Sequence, residues 1–250
     1  MNNIILEVKN IKKSFGAQEI LKGVSLQFEK GKITVIIGKS GTGKSVLIKN
    51  IIGILKPDSG EIFYEGRNML AAKEDELLSI RKNFGYLFQD AALFDSMNVE
   101  ENIAFPMIEQ LKMKDKALIS KKVSYLLDLI ELPGVQKKYP SELSGGMRKR
   151  VGLARALAIE PKIILFDEPT TGLDPILAES IDNLTLKINK ELGLTCIVIS
   201  HDIAATFRIA DKIAFLFEGN IAFFGTPAEA DNHPHPVIKK FIENTFNKKH

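Results

Sequence analysis

Cysteine is nearly absent: Cys196, inside an apolar run, is the one thiol in 250 residues. That excludes a disulfide-stapled scaffold, and a lone thiol is compatible with a reducing cytosol. Long apolar runs are lacking too. No uncharged stretch approaches the ~18 residues that a spanning helix needs, so direct membrane insertion is not expected. Met1 to Lys12 alternates apolar and polar residues without the apolar centre of a secretory signal. Charge of one sign is scarce: 34 Lys and Arg face 31 Asp and Glu, a net +3, too little to argue for nucleic acid. There is no internal repeat and no low-complexity tract. Against these absences, 45% hydrophobic and 26% charged residues are ordinary for a folded soluble chain and exclude a disordered one. The length fits one large α/β domain with room for an inserted lobe.

Short alternating segments, Ile4 to Val8 and Gly23 to Phe28, read as strands. Ile33 to Ile37 is apolar throughout and β-branched, as a strand buried on both faces would be. An apolar helical pattern through Val46, Leu47, Ile51 and Ile52 follows it and stops before the turn Pro57-Asp58-Ser59-Gly60. Buried-strand signals return at Ile163 to Phe166, Thr195 to Ile199 and Ile213 to Phe217. The last, with Gly219-Asn220 and Ile221 to Phe224, reads as a hairpin. Ile181, Leu184, Ile188 and Leu192 mark a helix between two of these strands. Strands alternating with helices predict a mainly parallel sheet covered on both faces. From about Ala91 to Ile159 helix signals dominate, with Ile119, Val123, Leu126 and Ile130 on one stripe. They predict a helical lobe inserted in the core, or else helices of the core itself. A polar C-terminal appendage carries Pro227, Pro234 and Pro236, with a short helix expected near Val237 to Phe246.

The chemistry concentrates in a few motifs. Gly38-Lys39-Ser40-Gly41-Thr42-Gly43-Lys44-Ser45 fits G-x-x-x-x-G-K-[ST] and lies between a buried strand and a helix. Its glycines let backbone N–H groups turn inward around phosphate oxygens, and the helix N-terminus adds partial positive charge. Lys44 can reach the β- and γ-phosphates, and the Ser45 hydroxyl can ligate Mg²⁺. Asp167 and Glu168 follow the strand Ile163 to Phe166. Adjacent carboxylates at a strand end point apart, so Asp167 can hold the metal while Glu168 faces an attacking water as general base. A solvated acidic turn is the plainer alternative. His201 follows another strand through Ser200, at the edge where α/β sheets place ligands. It can bond the γ-phosphate or position water, or be a surface histidine. Leu143-Ser144-Gly145-Gly146-Met147 precedes a basic helix, with Ser144 as its cap. A second phosphate-suited helix terminus is surplus within one chain.

Together these residues resemble the nucleotide-binding subunit of ATP-binding-cassette (ABC) transporters, over about Ile4 to Pro227. The resemblance implies a P-loop NTPase of RecA-like, mainly parallel α/β fold, with an N-terminal antiparallel β subdomain and an inserted α-helical lobe. By it residues 1–227 form one nucleotide-binding domain: core 1–90 and 160–227, lobe 91–159, appendage 228–250. It makes residues 38–45 the phosphate loop, Gln89 the residue that senses metal and membrane partner, and residues 143–147 the signature motif. Asp167 becomes the metal carboxylate, Glu168 the base, Leu173-Asp174 the D-loop and His201 the switch histidine. Phe15 falls where an aromatic stacks on adenine, although tyrosine is commoner there and a core phenylalanine fits as well. ATP and Mg²⁺ are the implied cofactors. The implied partners are a second copy, meeting head to tail so that each site joins one phosphate loop to the other chain's Ser144, Gly145 and Gly146, and a membrane permease.

Met147, where the signature usually has glutamine, the basic run Arg148-Lys149-Arg150 and the stretch Leu87 to Val99 are similar to the ATPases of Mla/MCE-type phospholipid transporters, the Mkl or toluene-tolerance group. That likeness implies a peripheral place on the cytoplasmic face of the bacterial inner membrane and an MCE-type lipid-binding protein as further partner. It makes Phe94, Met97, Phe105 and Met107 candidates for permease docking or for plain core. The rivals are an importer ATPase for a small polar solute and a soluble cassette protein of DNA repair or translation. The single cassette, lack of a long heptad run and small basic excess weigh against the latter.

Overall fold

The structure is a computed structural model that describes residues 3–233 and Lys239. The first elements are β1 (Ile4–Phe15), β2 (Gln18–Glu29), β3 (Ile33–Ile37), α1 (Lys44–Ile51), β4 (Ser59–Tyr64), β5 (Arg67–Asn68) and α2 (Glu74–Arg81). Next come β6 (Phe84–Leu87), α3 (Val99–Glu109), α4 (Lys116–Leu129), α5 (Gly145–Leu157), β7 (Ile163–Asp167) and α6 (Pro175–Leu192). The chain continues through β8 (Thr195–Ser200), α7 (Ile203–Ile209), β9 (Lys212–Phe217), β10 (Asn220–Gly225) and α8 (Pro227–Asp231). The expected helix near Val237 to Phe246 lies outside the described residues. The described residues form two compact units: residues 3–81 with 195–233, and Lys82–Leu194.

The first unit holds an antiparallel sheet ordered β2-β1-β4-β5 and the strands β10-β9-β3-β8. β3 runs parallel to both β8 and β9 and is buried along its whole length, which is why it reads as an unbroken apolar run. β1 and β2 run to 12 residues each, well beyond the segments the alternation marks. The reason is a bulge: the β1–β2 register shifts between Val8 and Ile11, Asn10 is left-handed at φ 50°, and Ile11 is buried on the restored phase. A phase slip hides a strand from a period-two reading. β4, also unmarked, keeps only Ile62 and Tyr64 inside. The β9–β10 turn falls at Glu218-Gly219, both at positive φ, with Asn220 already paired to Phe217, one residue earlier than the sequence points to.

In the second unit β6 and β7 pair in parallel, Phe84 with Ile163 through Leu87 with Phe166. Among its helices α3, α4 and α5 pack on one another and α5 packs on β6. The α4 stripe Ile119, Val123 and Leu126 is buried, as is Ile130 at its end. α6 spans all four apolar positions that mark it: Ile181, Leu184 and Ile188 are buried, and Leu192 is 38% exposed in the last turn. Side chains cap these helices: Asn98 bonds the Glu101 N–H, Asp115 those of Ala117 and Leu118, and Asp174 those of Ile176 and Leu177. Such caps contribute about 1 kcal/mol each.

Candidate active site

The first unit carries the phosphate loop, His201 and Phe15. β3 ends at Ile37, which pairs with Ser200 of β8. Gly38 and His201 therefore leave neighbouring parallel strands at the same edge. Gly38 lies tight against the strand beside it, since a Cβ there would come within 2.4 Å of the Leu216 carbonyl oxygen. Gly41 and Gly43 are left-handed at φ 78° and 100°, open to glycine without cost. Lys44 is 4% exposed, and its ammonium donates to the Gly38 carbonyl at 2.9 Å and the Lys39 carbonyl at 3.1 Å. The charge is thus folded back across the loop it belongs to. The Thr42 hydroxyl donates to the Lys39 carbonyl, closing the turn. α1 opens on Gly43 with no capping side chain and no acid in its first turn, an arrangement suited to an anion. Ser45 follows in that turn. Phe15 is 50% exposed at the end of β1, with the Lys13 ammonium 5.6 Å from its ring centre; it is not a core residue.

The second unit carries the acids. Asp167 ends β7, 8% exposed, and Tyr86 of the neighbouring β6 donates its hydroxyl to Asp167 Oδ2 at 2.9 Å. Burial, and then the Asp167 charge, push the Tyr86 pKa well above the ordinary tyrosine value, so this phenol stays a donor. Glu168 is held at φ 48°, a left-handed backbone rare for a residue with a side chain and characteristic of functional sites. The Thr171 hydroxyl donates to Glu168 Oε2 at 2.9 Å, and the Thr171 N–H closes a turn on the Glu168 carbonyl. Gln89 lies exposed in the turn after β6, at the same end of the β6–β7 pair as these acids.

Ser144 caps α5, its hydroxyl accepting the Met147 N–H at 3.2 Å. Gly145 and Gly146 have ordinary backbone; a Cβ at Gly145 would be in ordinary contact with Leu173 at 3.6 Å and Arg148 at 4.0 Å, and one at Gly146 with Leu177 at 3.5 Å. Among the described residues no side-chain contact demands glycine there. The basic run is spent internally: Arg148 donates to the Leu143 carbonyl, Lys149 to that of Thr171 and Arg150 to that of Ile130. Asp174 is the exposed cap of α6.

After Gln89, Ala91 and Ala92 are both left-handed, at φ 61° and 48°. Arg155 of α5 holds them, donating to both carbonyls at 2.8 Å; burial lowers its pKa. Buried Asn102 fastens the next bend, accepting the Phe94 N–H and donating to the carbonyls of Phe94, Met97 and Asn98. These bonds frame a groove of about 330 Å³, lined among others by Phe88, Phe94, Phe105, Pro106 and Arg155. Phe94 is 42% exposed, whereas Met107 is fully buried and so is core rather than a docking residue. Tyr86, Asn102 and Arg155 escaped the sequence reading, because each acts through a partner distant in sequence or through backbone carbonyls that no motif marks; Thr171 escaped it because its hydroxyl supports the carboxylate of Glu168 three residues earlier.

The sequence model of the ABC transporter family matches residues 21–171. The chain is 41% identical over 239 residues to the probable ribonucleotide transport ATP-binding protein mkl of Mycobacterium leprae, covering 96% of this chain and 69% of that protein. It is 38% identical over 239 residues to the intermembrane phospholipid transport system ATP-binding protein MlaF of Escherichia coli K12, covering 96% of this chain and 88% of MlaF. Among solved structures, the dimeric post-hydrolysis state of the ATP-binding cassette MJ0796 with ADP and Pi superposes with a TM-score of 0.81 at 33% identity, covering 89% of this chain and 98% of that one.

Proposed function

This chain belongs to the ABC transporter family as an ATP-hydrolysing subunit, and from that premise we propose that it drives phospholipid movement between the two membranes of a bacterial envelope. The observation that carries the cargo is the match to an intermembrane phospholipid transport ATPase along 88% of that protein's length. The Met147 signature with its basic run points the same way. The mkl relative is named for ribonucleotide transport, which keeps a small polar solute as the second reading. By its family the chain works through a membrane permease, from a peripheral place on the cytoplasmic face of the inner membrane; no helix of the described residues is long and apolar enough to cross a membrane.

In this reading the phosphate loop, residues 38–45, wraps the phosphates while Lys44 unfolds from its own loop carbonyls to reach them. Phe15 offers the adenine a face. Ser45, Asp167 and Gln89 bring hydroxyl, carboxylate and amide oxygens, the hard donors that Mg²⁺ takes. Glu168 accepts the proton of the attacking water, and His201 steadies the γ-phosphate. Ser144, Gly145 and Gly146 complete the partner's site in a head-to-tail homodimer. The glycines that this chain's own packing does not require leave room there for a phosphate to approach. Asp174 shapes the adjoining loop as a helix cap. The helical lobe, residues 91–159, turns the groove at Phe88 and Phe94 toward the permease, since exposed aromatics in a rigid frame make an anchoring surface.

The test is to purify the native membrane complex and analyse bound small molecules and subunits by mass spectrometry. A glycerophospholipid together with an MCE-type lipid-binding protein is the expected result. A complex carrying a polar-solute receptor and no lipid carrier overturns the cargo assignment.

A further inference from the structure

Lys149 has no part in the chemistry above, yet it is the most deeply buried residue of the basic run, at 6% exposure. An ammonium is costly to bury without partners. Burial pushes its pKa down, and the charges of Asp90 and Glu168 push it back up. Its ammonium donates to the Thr171 carbonyl. The hydroxyl of that same Thr171 donates to Glu168 Oε2 at 2.9 Å. Lys149 lies four residues past the start of α5, on the helix that opens with the signature glycines. Its neighbours in the run turn elsewhere: Arg148 to the approach of its own helix and Arg150 to the end of α4. Lys149 alone of the three reaches the loop that follows β7. That loop begins with the left-handed Glu168, a conformation that persists only where its surroundings fix it.

We propose that Lys149 is a positioning residue that sets the Glu168 carboxylate through Thr171, linking the signature helix to the base of the same chain. The proposal rests on the composite-site reading, in which a protomer lends its signature segment to one ATP site and its base to the other. Seating Ser144, Gly145 and Gly146 on the partner's nucleotide draws on α5, and Lys149 passes that displacement to the turn at residues 168–171. Each site's closure thereby aligns the base of its twin. Coupling of this kind is a free energy shared by two sites and appears as cooperativity.

The experiment measures ATP turnover of the intact transporter complex against ATP concentration, with ATP affinity of the isolated subunit as the second readout. Lys149→Met keeps length and removes the donor; Lys149→Arg keeps a cation. Thr171→Val removes the hydroxyl and Thr171→Ser restores it, so this pair decides the matter if Lys149→Met does not fold. The parent is expected to show a Hill coefficient approaching about 2, the number of sites. A base that is displaced but still present should cost at least about tenfold in kcat, a part of the ~10²–10⁴-fold that a positioned base contributes. Lys149→Met and Thr171→Val should lose that much, bring the Hill coefficient to about 1, as for independent sites, and keep the isolated subunit's ATP affinity. Arg and Ser should recover most of the loss, and the double variant should be no worse than the poorer single one. Parental kcat and cooperativity in either variant, additive losses, a non-cooperative parent, or a fall in ATP affinity matching the fall in kcat would overturn the link. Ser144→Arg separates the two ideas: retained cooperative turnover in that variant sinks the composite site itself, not Lys149 alone.

Discussion

Three glycines of the phosphate loop divide two costs that usually come together. Gly41 is left-handed, but a Cβ there would meet nothing within 4 Å. Alanine at that position bears only the conformational cost, about 1–2 kcal/mol for a left-handed backbone. Restriction of the unfolded chain returns about 0.4–1 kcal/mol, leaving a net loss of about 1 kcal/mol. Gly38 is the converse case. Its φ is ordinary, but the added carbon would lie 2.4 Å from the Leu216 carbonyl oxygen and 3.0 Å from the Thr42 hydroxyl. Backbone must move, at about 1–3 kcal/mol. Gly43 suffers both: φ is 100°, and a Cβ would come within 2.7 Å of Ile20 and 3.0 Å of Leu21. Alanine there should cost about 2–4 kcal/mol, the sum of the two kinds of strain. All these atoms belong to one compact unit, so one unfolding transition reports them. Urea denaturation of the three alanine variants should rank them Gly41, Gly38, Gly43 in order of increasing loss. Melting temperatures should follow at about 2–4 °C per kcal/mol for a chain of this size. A Gly43→Ala variant no less stable than Gly41→Ala would refute the assignment of steric contact to that site.

Glu168→Gln should lower turnover by about 10²–10⁴-fold, the worth of a positioned base, while ATP holds the dimer together; phosphate release and gel filtration check this, and normal hydrolysis removes Glu168 from its role. Phe94→Asp should weaken permease association by about 2 kcal/mol or more, as for a buried aromatic anchor, with Tyr125→Asp on α4 as the neutral control; equal co-purification of both variants contradicts the docking groove. Tyr86 has its pKa raised by burial and by Asp167. Its contribution to stability is therefore whole below the ordinary tyrosine value of ~10 and is lost as pH rises through the higher folded-state value. Urea midpoints at about pH 9 and about pH 11, on either side of that ordinary value, should fall less for Tyr86→Phe than for the parent, and equal slopes would show that the buried phenol does not contribute.

Legibility followed the range of the interactions. β3, β7 and β8 were plain because burial on both faces leaves an unbroken apolar run. Residues 38–45 were plain because glycine, lysine and serine stand at fixed spacing within one contiguous stretch. β1 beyond Val8 was hidden by its bulge. Asn102 was invisible: its four bonds all go to the main chain of the preceding bend, which leaves no pattern in the residue types. Phe94 and Met107 look alike in sequence, and only packing makes one exposed and the other core.

The sequence by itself determined the family, the phosphate loop, and the order of the acid, signature and histidine motifs. These are local facts, each written in a few consecutive residues. The tertiary structure decided which supports hold those groups. Tyr86 is set on Asp167 by parallel register, Arg155 on the two strained alanines by the approach of α5, and Lys149 on Thr171 by the packing of a helix against a loop. Such contacts join residues separated by 22 to 81 positions. Their energy depends on distance and burial, which folding sets, rather than on spacing along the chain.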